Sequence, residues 1–130
     1  MSGKQGATGR LRRLSYRSRA TRRLDAAGVA ALVSDAAARN GRTGVTGALV
    51  SSGTMYRQWI EGPGGAIETL MDALRRDPRH DRIEVLEDGW ADTRAFAGWH
   101  MQLFQAVDDA ALAPTATVVG RLPPDPATDN

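Results

Sequence analysis

The sequence predicts an α+β domain in which two helices pack on one face of a mixed sheet. Three observations support this class. The length of 130 residues suits one core, apolar residues recur at helical spacing in two separate segments, and strand-like runs lie before, between and after those segments. The resulting order is βαββαββ, whose first part is that of a ferredoxin-like sandwich, here with five strands.

The first strand and the first helix occupy roughly the first 40 residues. Apolar residues and Tyr16 mark a strand over 11–17. Thr21 or Asp25 can cap a helix over about 25–40, since their side-chain oxygens accept hydrogen bonds from the first free backbone N–H groups. The apolar positions of this helix are Val29, Leu32, Val33 and Ala36. We expect Asn40 and Gly41 to end it.

A hairpin and a second helix come next along the chain. Strands are expected over 45–51 and 55–61, joined by a turn at Ser52 and Gly53. A second amphipathic helix is predicted from apolar residues spaced i, i+3, i+4 and i+7. These are Ile67, Leu70, Met71 and Leu74. Asp77-Pro78 should stop this helix, because a residue before proline is pushed out of the helical conformation.

Two more strands, over 83–86 and 99–104, complete the pattern. We therefore divide the chain into a mobile leader at 1–9, a globular domain at 10–105 and a short, mostly disordered C-terminal extension at 106–130. Within that extension, 107–113 could form one short helix before Pro114.

Bulk composition excludes several classes of protein. The chain has no cysteine, which rules out disulfides, thiolate metal sites and a cysteine nucleophile. It has neither a long apolar run nor a secretory signal, so we expect a soluble, cytoplasmic protein without a membrane span. Two histidines with few carboxylates beside them do not suggest a metal site. The eight Lys and Arg residues before position 25 most simply form a solvated arm, although basic arms can also contact nucleic acid.

The second hairpin strand carries a polar side chain on a face that the helices should cover. Gln58 shares that face with Tyr56 and Ile60, because strand residues alternate between faces. A buried amide needs partners, since leaving it unpaired costs roughly 1–3 kcal/mol. The hydroxyl of Tyr16 would be one such partner. From these residues alone, an ordinary core glutamine and a packing tyrosine remain alternatives.

Five stretches of the chain together resemble the BLUF family, the blue-light sensors that use flavin. They span about residues 10–104 and lie in the family's order. They are Leu14-Ser15-Tyr16-Arg17-Ser18-Arg19-Ala20, Asn40 with Gly44-Val45-Thr46-Gly47-Ala48-Leu49, Gln58-Trp59-Ile60-Glu61-Gly62-Pro63, Asp77-Pro78-Arg79-His80, and Arg94-Ala95-Phe96-Ala97-Gly98-Trp99-His100-Met101.

The resemblance implies a flavin held between the two helices and the sheet, with FAD expected and FMN or riboflavin possible. Tyr16 would be the electron and proton donor to the excited flavin. Gln58 would lie between them and change its hydrogen bonds in light. Trp99 and Met101, expected to share a strand face, would exchange positions on signalling.

The resemblance also implies residues that hold the cofactor without reacting. Asn40 would recognise the polar edge of the flavin ring, since an amide both donates and accepts. Asp77, Arg79 and His80 would lie near the ribityl or phosphate portion, at the foot of the second helix. Arg39 stands where the family often has Asn or His, so its contact with flavin is open.

We therefore expect a blue-light photoreceptor without enzymatic activity of its own. Two alternatives on the same fold are an acylphosphatase-like hydrolase, suggested weakly by residues 18–22, and a nucleic-acid-binding module. No output domain fits within the chain, so the signal should pass to a separate effector or through an oligomer. The opposite sheet face, with Met55, Arg57 and Trp59, is expected to be largely bare and to form that contact.

Overall fold

The structure, a computed structural model, describes residues 10–106. Its elements occur in the expected order: β1 (Leu11–Ala20), α1 (Ala26–Thr43), β2 (Thr46–Ser51), β3 (Met55–Gly62), α2 (Gly64–Arg75), β4 (His80–Ala91) and β5 (Gln102–Gln105). The predicted mixed five-stranded sheet with two helices is confirmed. The predicted leader at 1–9 and the possible helix at 107–113, with nearly all of the C-terminal extension, lie outside the described residues.

The sheet has the strand order β4-β1-β3-β2-β5. All neighbouring pairs are antiparallel except β2 with β5, which are parallel. The first helix crosses from β1 to β2, and β3 inserts between those two strands. As a result β3 is central, and its Gln58 lies opposite Tyr16 of β1 on one side and Leu49 of β2 on the other.

The sheet separates two apolar clusters. The face that the helices cover, here called the front face, carries the larger one, which includes Tyr16, Leu49, Tyr56, Ile60, Ile67, Leu70, Leu74 and Met101. The opposite, back face carries Ala48, Val50, Trp59, Phe96 and Trp99. The alternation expected for β3 is therefore confirmed: Tyr56 and Ile60 lie in front, and Trp59 lies behind.

Helix α1 begins as expected and ends later than expected. The Asp25 side chain accepts a hydrogen bond from the Gly28 backbone nitrogen at 2.8 Å, which makes Asp25 the N-cap. The end predicted at Asn40-Gly41 was wrong. The helix continues to Thr43, and Gly44 caps it with φ of 78°, a left-handed conformation that glycine adopts without steric cost. Asn40 is thereby a buried residue of the last helical turn.

The two last strands also differ from their predicted bounds. Strand β4 covers His80–Ala91 instead of 83–86. It lies at the sheet edge and is mostly exposed, so apolar periodicity does not mark its ends. Charged residues pair it with β1, through Arg12 with Asp88, Arg17 with Glu84 and Arg19 with Asp81. Strand β5 begins at Gln102, not at residue 99, and this changes the direction of the residues before it.

The back face is not bare. Residues 92–101, between β4 and β5, cover it with Phe96 and Trp99, so Trp59 is only 1% exposed and Arg57 only 4%. The expectation of an exposed patch at Met55, Arg57 and Trp59 was therefore wrong. No helix of the described part is long and apolar enough to cross a membrane.

Gly47 lies where β2 and β3 leave no room for a side chain. A Cβ added to it would lie 2.0 Å from the Trp59 carbonyl oxygen and 3.3 Å from the Ile60 Cα, both backbone atoms. Because a backbone cannot move aside cheaply, we expect Gly47→Ala to lower the free energy of unfolding by about 3 kcal/mol or more.

The control is Gly65→Ala on α2, where nothing lies within 4 Å of the added Cβ and alanine is the better helix former. Denaturant unfolding of both variants measures the difference. Equal stabilities would contradict the close approach of β2 and β3.

Candidate functional site

A cleft of about 390 Å³ opens on the front face, between α1, the end of α2 and the sheet. Its walls combine apolar and polar side chains: Tyr16, Leu32, Ala36, Arg39, Leu49, Tyr56, Gln58, Leu74, Asp77, Arg79 and His80. A second cavity between the helices, lined by Asn40, Thr43, Ala66, Thr69, Leu70 and Ala73, shares Arg39 with the first. The size and mixed walls of the cleft suit an organic ligand.

Tyr16, Gln58 and Met101 form a continuous polar chain, and its first two members line the cleft. Tyr16 and Gln58 face each other across β1 and β3, and the Tyr16 hydroxyl donates a hydrogen bond to Oε1 of Gln58. The other end of the amide, Nε2, donates to the sulfur of Met101 at 3.7 Å. The structure thus brings together three residues that are 42 and 43 positions apart in sequence.

The Tyr16 phenol is held in its protonated form. Burial raises the pKa of Tyr16 well above its usual value, and the nearby Arg39 guanidinium lowers it by less. A neutral phenol therefore faces Gln58 at physiological pH. This group keeps a proton that it can give up when it is oxidised.

Asn40 connects α1 to the segment before β5. It is 1% exposed, and its Nδ2 donates to the His100 carbonyl oxygen at 2.6 Å. Its Oδ1 is buried without a hydrogen-bond partner in the described part of the chain. A buried carbonyl oxygen rarely stays unpaired, so this atom marks a position where a ligand donor would fit.

Two further buried polar atoms of the cleft lack a hydrogen-bond partner among residues 10–106: the Tyr56 hydroxyl and Nε of Arg39. With Oδ1 of Asn40 they provide both donors and acceptors beside an apolar wall of Leu32, Ala36 and Leu49. Such a combination fits a planar ring with a polar edge, as flavin has.

Asp77 and Arg79 lie together at the mouth of the cleft. The Arg79 guanidinium binds the Asp77 carboxylate through both oxygens, with distances from 2.7 to 3.1 Å, and approaches Asp35 at 3.6 Å. The hydrogen bonds from Arg79 lower the pKa of Asp77 below its usual range. Arg79 therefore places a guanidinium at the mouth of the cleft. The carboxylates of Asp77 and Asp35 already balance much of its positive charge.

His80 lies beside the end of α2, where the sequence predicts it, and lines the cleft. It begins β4 and is buried. Its Nε2 lies 2.7 Å from the Leu74 carbonyl oxygen and its Nδ1 lies 2.8 Å from the Ser18 hydroxyl. Since a carbonyl only accepts, Nε2 carries a proton. With both nitrogens engaged, His80 presents its ring, near Tyr16 and Tyr56, to the cleft.

Trp99 and Met101 do not share a face. Met101 packs in the front cluster beside Gln58, whereas Trp99 packs behind the sheet against Phe96 and Phe104. Both residues precede β5, so the strict alternation assumed for a strand does not apply to them. In this conformation Met101 alone of the two reaches the amide.

Two polar contributors were not assigned from the sequence. Tyr56 was placed on the same face as Gln58, and this position two residues away was the signal that it lines the cleft. Ser18 belongs to one of the family-like stretches and to the weak phosphate-loop alternative at residues 18–22, but neither gives it a role in the site. It is instead fully buried in β1 and holds His80, so that loop does not exist.

The comparisons with known proteins agree with this geometry. The family model described as "BLUF: Sensors of blue-light using FAD" matches residues 11–102. The alpha subunit of photoactivated adenylate cyclase from Euglena gracilis is 37% identical over 103 residues, which cover 76% of this chain and 10% of that protein. The blue light- and temperature-regulated antirepressor BluF of Escherichia coli is 37% identical over 73 residues, which cover 56% of this chain and 18% of that protein.

Solved structures show the same fold. The dark-state structure of BlrB, a BLUF protein, superposes with a TM-score of 0.70 at 33% identity and covers 85% of this chain and 83% of that one. Klebsiella pneumoniae BlrP1 in a calcium and cyclic-diGMP complex gives a TM-score of 0.71 at 29% identity over 92% of this chain and 30% of that one. The chain spans only about a tenth of the cyclase subunit it matches. The family model covers residues 11–102, and the cleft and the polar chain lie within that range. The protein therefore belongs to the BLUF family of flavin-binding blue-light sensors.

Proposed function

We propose that the Tyr16–Gln58–Met101 chain is the light-responsive element of this domain and that flavin lies in the cleft between α1 and α2. The contact that supports this most directly is the hydrogen bond from the Tyr16 hydroxyl to Gln58, whose amide also reaches Met101. Tyr16 is an oxidisable phenol, and Gln58 is an amide whose two ends can exchange hydrogen-bonding roles.

The buried atoms without hydrogen-bond partners suggest how the polar edge of the flavin ring would be bound. Oδ1 of Asn40 can accept a hydrogen bond from a ring N–H, while Nε of Arg39 and the Tyr56 hydroxyl can donate to ring oxygens or nitrogens. Leu32, Ala36, Leu49 and Leu74 supply the apolar walls. Asp77 and Arg79 lie at the mouth, where the ribityl chain and phosphate would leave the cleft; His80 closes the wall with its ring.

Bound flavin supplies an excited state, reached with blue light, that accepts an electron. Tyr16 would supply that electron, and its phenolic proton would leave towards the flavin through the hydrogen-bonded Gln58. Both would later return to Tyr16, so that no net oxidation remains. Gln58 would then hold its amide oxygen and nitrogen in exchanged roles, without the contact from Nε2 to Met101.

FAD is the flavin we propose, because the matched family model is described by that cofactor. Arg79 also lines an open cavity at the N-terminal end of α1 together with Thr21 and Arg22. The Arg22 guanidinium there, beside the carboxylate-paired Arg79, suits a phosphate-bearing tail. Flavin released from purified protein by denaturation and separated by chromatography would distinguish FAD from FMN and riboflavin.

Output is proposed to pass to a partner protein or a second copy of the chain, with no catalysis by this domain itself. The relatives differ in their output, since one is named as a cyclase subunit and another as an antirepressor. The buried back face leaves Trp59 unavailable as a contact, so residues 92–101 that cover it become the surface that a partner would meet. Light scattering in darkness and in blue light tests the second-copy version, which a constant monomer mass would exclude.

Removing the amide should separate flavin binding from switching. We expect Gln58→Leu to remain yellow and to lose the reversible red shift of flavin absorption under blue light, because leucine has similar volume and cannot exchange hydrogen bonds. Tyr16→Phe should behave in the same way. Gln102→Leu, the same change at an exposed position of β5, is the matched control and should keep the shift. A normal shift in Gln58→Leu would refute the assignment.

Asn40→Ala should weaken flavin retention. The substitution removes the ring-edge hydrogen bond that Oδ1 would accept, worth about 1 kcal/mol or roughly fivefold in Kd. Arg42→Gln, two residues further along on the exposed side of α1, should bind flavin as the unmodified protein does. Titration of apoprotein with FAD, monitored by quenching of flavin fluorescence, measures both constants. Equal affinity of the two variants would exclude Asn40 from the flavin site.

A further inference from the structure

We propose that Glu61 is a positioning residue that tethers the segment carrying Met101, and so sets how fast the lit arrangement returns to the dark one. The inference rests on the proposed role of Gln58 and Met101. Glu61 lies three residues after Gln58 on β3, on the opposite face of the sheet, and is fully buried.

Three hydrogen-bond donors and one cation surround the Glu61 carboxylate. Oε1 accepts from the Ala95 backbone nitrogen at 2.9 Å, and Oε2 accepts from the Phe96 backbone nitrogen at 2.7 Å. Thr46 on β2 donates its hydroxyl at 2.9 Å, and Nε of Arg13 on β1 lies 3.4 Å away. One side chain of the central strand therefore joins both neighbouring strands to the segment that crosses the back face.

Arg94 reinforces the same attachment from the segment's own side. Its guanidinium donates to the Thr46 hydroxyl at 2.8 Å and to the Gly44 carbonyl oxygen at 2.8 Å. Thr46 thus receives a hydrogen bond from Arg94 and passes one to Glu61. The beginning of the segment is held by a charge-assisted network instead of by apolar packing alone.

The tether continues towards Met101 through backbone contacts. The Trp99 nitrogen donates to the Phe96 carbonyl oxygen at 2.9 Å, and the Trp99 carbonyl accepts from the Gly47 nitrogen at 2.8 Å. The next residue, His100, accepts from Asn40. The stretch from Phe96 to Met101 is thereby held at several points, of which Glu61 provides the first.

Gln58 and Glu61 are connected by two routes. One runs along strand β3, and the other runs from Met101 back through the segment to Ala95 and Phe96. When the amide of Gln58 turns away from Met101, the segment remains attached at Ala95 and Phe96. The fixed attachment favours the return of Met101 to its dark contact. If Glu61 only stabilised the fold, its replacement would not change how fast Met101 returns to its dark position.

The experiment replaces Glu61 with glutamine, which keeps the shape but leaves only one oxygen to accept from the two backbone N–H groups. Ser15→Ala is the matched control, because Ser15 is equally buried and its hydroxyl donates to Glu87 of β4, outside the segment that Glu61 holds. Two readouts are taken on flavin-loaded protein: amide hydrogen exchange of Ala95 and Phe96 in darkness, and the rate of dark recovery after blue light.

We expect exchange at Ala95 and Phe96 to rise at least tenfold and dark recovery to slow at least threefold in Glu61→Gln relative to Ser15→Ala. Recovery that is unchanged or faster overturns the proposal, even if exchange rises. If Glu61→Gln does not fold, Arg94→Gln decides, with recovery slowed at least twofold in support and unchanged recovery against. An unmodified protein that shows no red shift at all would instead refute the proposed photochemistry, a separate failure.

Discussion

The requirement that every buried polar group finds a partner determines much of this structure. Strand β3 is central, so its side chains are covered on both faces, yet it carries Gln58 in front and Glu61 behind. Both side chains are almost fully buried, and a buried amide or carboxylate without partners is costly. Tyr16 and Met101 are therefore held against Gln58, and residues 95 and 96 are held against Glu61.

On the front face, the exceptions to this requirement point to the ligand site. Most buried polar atoms in proteins are paired. Within residues 10–106 the indole nitrogens of Trp59 and Trp99, behind the sheet, have no hydrogen-bond partner. On the front face the same is true of Oδ1 of Asn40, the Tyr56 hydroxyl and Nε of Arg39. All three belong to residues that line the two cavities joined at Arg39. A cleft with unused donors and acceptors beside leucine and alanine side chains is prepared for a polar-edged ring, and the family's cofactor has that chemistry.

One short segment links the proposed photochemistry on the front face of the sheet with the Glu61 attachment on the back face. Residues 92–101 cross from one edge of the sheet to the other, with Phe96 and Trp99 behind it and Met101 in front. Asn40 holds the same segment from the helix side through the His100 carbonyl. A change in the Gln58 amide therefore acts on a piece of chain that already spans both faces, which gives the sheet a route for passing a local change to the far side.

Local patterns were sufficient for the order and type of the elements, and insufficient for several of their bounds and for the segment that covers the back face. Helical spacing in 67–74, the Asp25 cap and the alternation of Tyr56, Gln58 and Ile60 depend on neighbours in sequence, and the structure agrees with each. The extent of β4 depends on cross-strand ion pairs with β1. The end of α1 at Gly44 depends on the close turn into β2. A crossing segment gives Trp99 and Met101 their opposite orientations and buries Trp59. Glu61 and Arg94 hold this segment through contacts between residues that are 33 to 50 positions apart in sequence.

By itself the sequence determined the family and the candidate flavin residues, because their chemistry and order along the chain are specific to it. Only the tertiary structure decided how those residues are held, because the partners of buried polar groups are chosen by packing among strands distant in sequence.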